Sequence, residues 1–347
     1  MSCYSPAFVK YFIDNESGEV SCKYLGRSQC ADLLSKAYDG KKHDIEFFID
    51  KPELFQNIKQ IPCGKCIGCR IDYSRDWADR MTYHSFGKEN SSYFITLTYD
   101  DDHLSKLDHS PIYDIYSLSK DDMTDFIKSL RNHFRSSELD FYYSSEYGDS
   151  SFRPHYHLII YNLPLDDLEF WKLDNEGQAI YTSELIHRLW KKGLCSVQSF
   201  AWLNAAYTAS YVEKKRDGRL AAEYQALGIL PEFCRMSRRP GLAYDFYINN
   251  YSTIWENNGF PVDRTVNKCG KLGIPRYFQK LAKKGHDQDG NYLGLKEFKR
   301  WQELNQDKIV GDNEFFLANS SFDLSRVADL HKFQEREILS RQKNKKI

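Results

Sequence analysis

The sequence contains no long apolar run and no export signal. Within its 347 residues no segment approaches the stretch of roughly 18 apolar residues that a membrane-spanning helix needs. The first residues, MSCYSPAFVKYF, lack the basic and then apolar layout of a signal peptide. These two absences argue against a membrane partner. They predict a soluble protein that stays in the compartment where it is made.

A disulfide framework and a strong net charge are also missing. The nine cysteines are an odd number, and a 40.8 kDa chain without an export signal needs no disulfides, so we expect a reducing compartment. The net charge of −1 does not by itself indicate nucleic acid. However, residues 214–300 carry 17 Lys and Arg against nine Asp and Glu, whereas residues 91–150 carry five against 12. This asymmetry predicts either a polyanion-binding face beside a cation-binding region, or charges scattered over solvated surfaces.

Aromatic residues are abundant, and the chain has clear helix and strand patterns. The 24 Tyr, 22 Phe and 6 Trp provide core material although the apolar fraction is only 41%, so disorder over most of the chain is not expected. Strands are predicted at residues 92–100, 139–148, 155–162 and 194–200, and helices at 119–134, 182–193 and 202–218. Ser119 and Thr182 are the expected N-caps of the first two helices.

The order of these elements predicts the fold class. The sequence β-α-β-β-α-β-α is typical of α+β domains of the split βαβ kind (ferredoxin- or RRM-like), in which helices cover one face of a mostly antiparallel sheet. Four regions are predicted. They are an N-terminal region with a cysteine cluster and a helix from about Ile71 (1–90), the sheet-containing core (91–220), a basic accessory region (221–310) and a partly disordered tail (311–347).

Two histidines are the first candidate site. His155 and His157 stand one residue apart in the strand RPHYHLIIYN, so both side chains point to the same face. Glu146 lies in the preceding strand, close enough across a hairpin to be a third ligand. Two imidazoles and one carboxylate leave open positions and suit Mg²⁺ or Mn²⁺ that also holds a substrate phosphate. The alternative is two exposed histidines and a solvated glutamate.

Two tyrosines are the second candidate site. Tyr207 and Tyr211 lie four residues apart in YTASYVEKK, on a predicted helix, with Lys214 and Lys215 one turn later. A phenol can attack phosphorus where a metal activates the phosphate and a nearby cation favours the phenolate. The alternative is core packing by one or both rings.

The segment CGKCIGC is the third candidate site. It places Cys63, Cys66 and Cys69 at a regular spacing where a predicted helix begins. Three thiolates at this spacing suit a structural Zn²⁺. The fourth ligand would come from Cys22, Cys30 or a histidine such as His84. An iron–sulfur site, which would need a fourth cysteine, and three reduced buried thiols are the alternatives.

Taken together, these segments resemble a known family. FITLTYD, then EYG with RPHYHLIIYN, then YTASYVEKK occur in the order of motifs I, II and III of HUH-type rolling-circle replication initiators. PCGKCIGCRIDYSRDWADR before them, and MSRRPG and IPRYFQKL after them, resemble the replication initiation protein of gokushoviruses, which are small single-stranded DNA phages of the Microviridae. The resemblance covers about residues 62–280.

The resemblance implies a metal-dependent, site-specific DNA endonuclease and strand transferase of the two-tyrosine type. A tyrosine would cut single-stranded origin DNA, leaving a free 3′-OH and a 5′-phosphotyrosine, and the finished circle would be religated. The implied roles are metal binding by His155, His157 and Glu146, nucleophilic attack by Tyr211 and then Tyr207, support by Lys214 and less so by Lys215, and a place near the DNA for Thr96 and Thr98.

The implied partners are single-stranded DNA at a replication origin and a host helicase and polymerase, in the cytoplasm of a bacterial host. The basic segments KKRDGR and RMSRRPG could bind the DNA backbone or form a solvated face, and tyrosines could stack on unpaired bases. Two other functions stay open at this point. One is a plasmid relaxase or transposase with the same core, and the other is a zinc-stapled nucleic-acid-binding module without catalysis.

Overall fold

The chain forms two compact units that divide between Asp72 and Tyr73. The computed structural model describes residues 7–13, 20–48, 51–55, 57–64, 67–88, 91–104, 116–135, 138–148, 152–210, 224–266, 270–286 and 293–305. Within these residues no helix is long and apolar enough to cross a membrane. The region boundaries predicted from the sequence stay predictions, and the predicted tail lies outside the described residues.

The first unit is a small sheet with one helix. Its strands are β1 (Ala7–Ile13), β2 (Val20–Leu25) and β3 (Ile58–Ile61), its helix is α1 (Arg27–Tyr38), and two 3₁₀ turns span Ile45–Phe48 and Pro52–Phe55. The strands pair antiparallel in the order β2-β1-β3. Phe8, Leu34 and Phe48 are fully buried at its centre.

A seven-stranded antiparallel sheet is the centre of the second unit. Its strands are β4 (Tyr93–Thr98), β5 (Asp140–Tyr147), β6 (Pro154–Tyr161), β7 (Leu168–Leu173), β8 (Ala179–Ser183), β9 (Cys195–Ser199) and β10 (Cys234–Met236). They lie in the order β10-β5-β6-β4-β9-β8-β7. The predicted α+β class with a mostly antiparallel sheet is confirmed.

Helices surround this sheet. They are α2 (Ile67–Ser85, which continues from the first unit), α3 (Lys120–Phe134), α4 (Glu184–Trp190), α5 (Trp202–Ser210), α6 (Tyr244–Glu256) and α7 (Arg276–Lys284). A two-residue hairpin of β11 (Phe260–Pro261) and β12 (Lys271–Leu272) lies between α6 and α7, and residues 295–305 are helical.

Helix α3 forms as the sequence predicts. The hydroxyl of Ser119 accepts a hydrogen bond from the Asp122 N–H at 3.1 Å and so caps the first turn. Met123, Phe126 and Leu130 then fall on one side of the helix and are buried. With α4 they cover the sheet face that carries the alternate residues of β4 and β6 such as Ile95.

The second sheet face is also covered, which differs from the single covered face expected from the sequence. Ala78 of α2 and Ala205 of α5 pack with Ile159 and Tyr161 of β6 in one buried cluster. The small alanine side chains let both helices approach the sheet closely. His155 and His157 belong to this same face of β6, nearer the start of the strand.

Two predicted helix starts are wrong. Helix α4 begins at Glu184 with Ser183 as its N-cap, because Thr182 belongs to strand β8. Helix α2 begins at Ile67, four residues before the expected Ile71, so Cys69 lies inside its first turn.

Candidate metal centre

Strands β5 and β6 bring three side chains to one point. Glu146 lies directly opposite His155 in the antiparallel register, and His157 follows on the same face of β6. The distance from His155 Nε2 to Glu146 Oε1 is 2.6 Å, and His157 Nε2 lies 3.7 Å from the same oxygen. One ligand atom of each residue lies within 4.8 Å of the others. The three predicted ligands therefore form a group that could hold a metal ion.

The carboxylate of this group is buried and charged. The side chain of Glu146 is only 9% exposed, and that of His157 6%. Burial alone would raise the pKa of Glu146, but hydrogen bonds from His155 and His157 outweigh it and lower that pKa to about 2. Glu146 is therefore an anion at neutral pH.

Outer hydrogen bonds orient both imidazole rings. His155 Nδ1 lies 3.1 Å from the carbonyl oxygen of Arg153, which can only accept, so Nδ1 carries a proton and donates it. His157 Nδ1 lies 3.2 Å from the hydroxyl oxygen of Thr96, its register partner on β4. With Nδ1 engaged in each ring, the atom directed at Glu146 is Nε2. Metal-binding histidines are commonly fixed in this way.

The donor set fits a divalent metal ion. Glu146 Oε2 is buried and has no hydrogen-bond partner within the part of the chain that the structure describes. A buried carboxylate oxygen without a partner is costly, and a cation at this point would satisfy it. Imidazole nitrogens with one carboxylate leave coordination positions open for a further ligand.

Tyr207 reaches this group from α5. Its ring centroid lies 5.1 Å from that of His157, with the two planes at 75°. The side chain is 44% exposed, whereas Ala205 and Ala209 on the opposite side of the helix are fully buried. The phenol therefore lies beside the metal-binding group and is open to solvent.

The other three residues of the tyrosine motif, Tyr211, Lys214 and Lys215, lie outside the described residues. The roles predicted for them, and the nucleophilic role of Tyr207, stay predictions.

Two further residues contact the centre. Thr96 was expected only near the DNA, and in the structure its hydroxyl holds His157. The Phe94 ring lies parallel to the His157 ring, at 11° and 5.5 Å between centroids. The motif FITLTYD contains both residues at alternate positions, but only the register of β4 against β6 shows that His157 is their partner.

The cysteine cluster is in part described. Cys63 Sγ and Cys69 Sγ lie 4.0 Å apart, and Cys66 lies outside the described residues. Two thiolates on a tetrahedral zinc with Zn–S bonds of about 2.3 Å would be about 3.8 Å apart. The spacing is compatible with the predicted zinc, which stays a prediction.

Two of the three candidates for a fourth zinc ligand are disfavoured. Burial raises the pKa of the Cys30 thiol to about 11, so this side chain stays protonated. In His84, Nδ1 accepts a hydrogen bond from Ala243 N at 3.0 Å, and Nε2 lies 3.2 Å from a carboxylate oxygen of Asp140. The exposed Cys22 is the remaining candidate.

Comparison with known proteins gives the family. A family model for the replication-associated protein ORF2 matches residues 92–216. The chain is 35% identical over 246 residues to the replication-associated protein ORF2 of Spiroplasma virus 4, covering 69% of this chain and 72% of that protein. The chain belongs to this family. The resemblance to phage replication initiation proteins that the motifs carry is thereby confirmed.

Two other replication-associated proteins are similar. The VP4 protein of Bdellovibrio phage phiMH2K is 38% identical over 233 residues, covering 65% of this chain and 68% of that protein. The ORF4 protein of Chlamydia phage 1 is 28% identical over 258 residues, covering 69% and 58%. No solved structure matches the chain. The segment that the family model matches contains the metal-binding group and Tyr207.

Proposed function

We propose that this replication-associated protein is a metal-dependent endonuclease and strand transferase that cuts single-stranded DNA at a replication origin. The observation that carries the proposal is the group of Glu146, His155 and His157 with the Tyr207 ring 5.1 Å from that of His157. A buried divalent-metal site beside an exposed phenol has the parts that phosphodiester transfer to tyrosine needs.

The topology supports an HUH-type core. Strands β5, β6, β4 and β9 are neighbours in that order, α3 connects β4 to β5, and α4 precedes β9. This is the order of a split βαβ sheet, in which the first and third strands lie side by side at the centre. The central pair here is β4 and β6, which carries Thr96 and both histidines.

In the proposed reaction, side chains of this chain hold and attack one phosphodiester. Bound Mg²⁺ or Mn²⁺, held by Glu146, His155 and His157, polarises the phosphoryl oxygens. The phenol oxygen of a tyrosine forms a bond to phosphorus while the bond from phosphorus to the 3′ oxygen breaks. The phenol proton is lost and the departing oxygen gains one, giving a free 3′-OH and a 5′-phosphotyrosine. Attack by a 3′-OH on that phosphotyrosine reverses the bonds and religates the strand without ATP.

The tyrosine motif divides this work. Tyr211 is the proposed leading nucleophile and Tyr207 the second, so that the pair can cut and reseal the finished circle in turn. Lys214, with Lys215 in a lesser role, favours the phenolate. The free 3′-OH primes synthesis by a host polymerase, with a host helicase, in the cytoplasm of the bacterial host.

Covalent capture tests the proposal. Purified protein with Mn²⁺ is incubated with single-stranded oligonucleotides that tile the genome encoding it, and denaturing gels are read for a shifted band. Tyr207→Phe, Tyr211→Phe, the double variant and His155→Ala are run in parallel. Tyr181→Phe, on strand β8, is the matched control. We expect an EDTA-sensitive adduct with the wild type and Tyr181→Phe, and none with the double variant.

The same experiment distinguishes the alternative. If no tile gives an adduct while calorimetry shows that Mn²⁺ binds, the protein is better described as a zinc-stapled nucleic-acid-binding module without catalysis. If the double variant still forms the adduct, the nucleophile lies elsewhere in the chain.

We also propose that Cys63, Cys66 and Cys69 hold a structural Zn²⁺. The 4.0 Å separation of the two described sulfur atoms supports this. Metal analysis of purified protein should find zinc near one equivalent, falling by most of its amount in Cys69→Ser. Cys195→Ser, in the second unit, is the control and should keep its zinc. Equal zinc in both variants would reject the site.

A further inference from the structure

We propose that the turn at residues 238–241 and helix α7 form one binding surface for the phosphate backbone of double-stranded DNA. This surface is separate from the metal centre and would hold the duplex that flanks a replication origin. It contains the motifs MSRRPG and IPRYFQKL, neither of which belongs to the metal-binding group. The proposed nicking reaction does not require it.

Helix α7 carries a stripe of positive charge. The four exposed cations on one side of the helix are Arg276, Lys280, Lys283 and Lys284. Their spacings of four, seven and eight residues from the first place them on one face. Phe278 and Ala282 are fully buried on the opposite side. Because a nine-residue helix is about 13 Å long, the stripe can contact more than one backbone phosphate.

The arginine turn is attached to this helix. A Cβ atom at Gly241 would lie only 2.8 Å from the Tyr277 hydroxyl oxygen and 2.9 Å from Arg80 Nη2. The Arg80 guanidinium lies 3.6 Å from the centre of the Tyr277 ring, and its Nε donates to the carbonyl oxygen of Leu242 at 3.0 Å. Arg80 therefore binds both the helix and the turn, and glycine at 241 permits this close approach.

The same turn exposes two more cations. Arg238 pairs with Gly241 in an isolated β-bridge, and both Arg238 and Arg239 are exposed. Two basic segments that are distant in the sequence thus meet through Gly241 and Tyr277.

These charges are not neutralised within the described part of the chain. There, no carboxylate forms an ion pair with any of the six cations. The nearest acid is Asp76, whose Oδ1 accepts a hydrogen bond from Arg276 N at 2.7 Å and so caps the start of α7. One carboxylate against six cations leaves the surface positive and suited to a polyanion.

The side chains favour duplex DNA over single strands. Single-strand sites combine cations with exposed aromatic rings on which bases stack. On α7 the aromatic residues are turned away from solvent, since Phe278 is buried and Tyr277 lies against Arg80. A surface of cations without stacking rings fits a helix whose bases are already paired and whose phosphates lie outermost.

The test uses the full chain with Lys280→Gln, Lys283→Gln and Lys284→Gln combined. Fluorescence anisotropy measures binding to a labelled duplex and to a single strand of equal length over a series of salt concentrations. The control combines Lys120→Gln, Lys128→Gln and Lys172→Gln, which remove the same charge from α3 and β7. All six lysines are exposed, so both variants should fold.

We expect the α7 variant to bind duplex about tenfold or more weakly at low salt, and its slope of log affinity against log salt to be shallower by about three. The control variant should behave like the wild type. Equal loss in both variants, an unchanged slope, or a loss confined to the single strand would each overturn the proposal.

A second readout separates this proposal from the nicking reaction. The α7 variant should still form the covalent adduct with single-stranded origin oligonucleotides, and His155→Ala should still bind duplex. Duplex binding that depends on α7 would stand even if no adduct forms. An adduct without such binding would leave the nicking reaction intact and remove this surface.

Discussion

At the scale of single residues, the metal-binding group depends on neighbours that hold its ligands. His157 lies between Thr96, which bonds its Nδ1, and Glu146, which faces its Nε2. The ring also packs between Phe94 and Tyr207. A ligand held on all sides loses little freedom when metal binds, so we expect these neighbours to contribute to metal affinity.

Thr96→Val should weaken Mn²⁺ binding by about 10- to 100-fold, because valine keeps the shape of threonine but cannot hold Nδ1 of His157. Calorimetric titration with Mn²⁺ measures this. Thr98→Val is the matched control, since Thr98 lies on the same face of β4, opposite His155. Equal affinities of the two variants would show that the Thr96 hydroxyl does not position the ligand.

Only part of this residue-scale arrangement was predictable. The period of two in a strand places His155 and His157 on one face whatever the sheet around them. Which residues face them from β4 depends on the register, and a shift by one residue would turn Thr96 away. A single sequence does not specify that register.

At the scale of elements, strong local signals predicted correctly and weak ones did not. Helix α3 has a cap, a buried face and an end that all agree. The hairpin of β7 and β8 was missed because β7 has no alternation to detect: Phe170, Trp171 and Leu173 are all more than half exposed at the sheet edge. Without that hairpin, Thr182 was taken as the start of α4.

Ser183→Ala should lower the free energy of unfolding by about 1–2 kcal/mol, because the Ser183 hydroxyl accepts from Ile186 N at 3.1 Å and donates to Asp167 at 2.8 Å. Urea titration of the full chain measures it. Thr182→Ala, one residue earlier and in the strand, should cost about half a kcal/mol or less. The reverse ranking would restore Thr182 as the cap.

At the scale of the whole second unit, one buried histidine joins three elements. His84 of α2 bonds Ala243 at the start of α6 and Asp140 at the start of β5. Lys88 and Asp245 are the other charged groups near its ring. Burial lowers the pKa of His84, although the hydrogen bond with Asp140 opposes this. Burial would raise the pKa of Asp140, but hydrogen bonds from His84 and Ser237 lower it.

These shifts predict acid sensitivity. Below about pH 6.5 the unfolded chain takes up a proton at His84 that the folded state resists, so stability falls as the pH falls. The lowered pKa of Asp140 adds a further loss only at more acidic pH, below its ordinary value of 3.8. Urea midpoints at pH 7.5, 6.0 and 5.0 should decline in the wild type.

The matched variants make this prediction specific. His84→Asn keeps an acceptor near the Nδ1 position and should show a flatter decline with pH, whereas His133→Asn, an exposed residue of α3, should follow the wild type. A His84→Asn decline as steep as that of the wild type would assign the acid sensitivity to other groups.

The sequence by itself determined the fold class, the central strands and the three metal ligands. Each of these follows from local periodicity, or from a motif that carries its own spacing, as RPHYHLIIYN does. Only the tertiary structure decided that Thr96 and Phe94 hold His157, that α2 and α5 cover the second face of the sheet, and that the arginine turn meets α7. These contacts join segments far apart in the chain, and they depend on strand register and close packing, which local patterns do not encode.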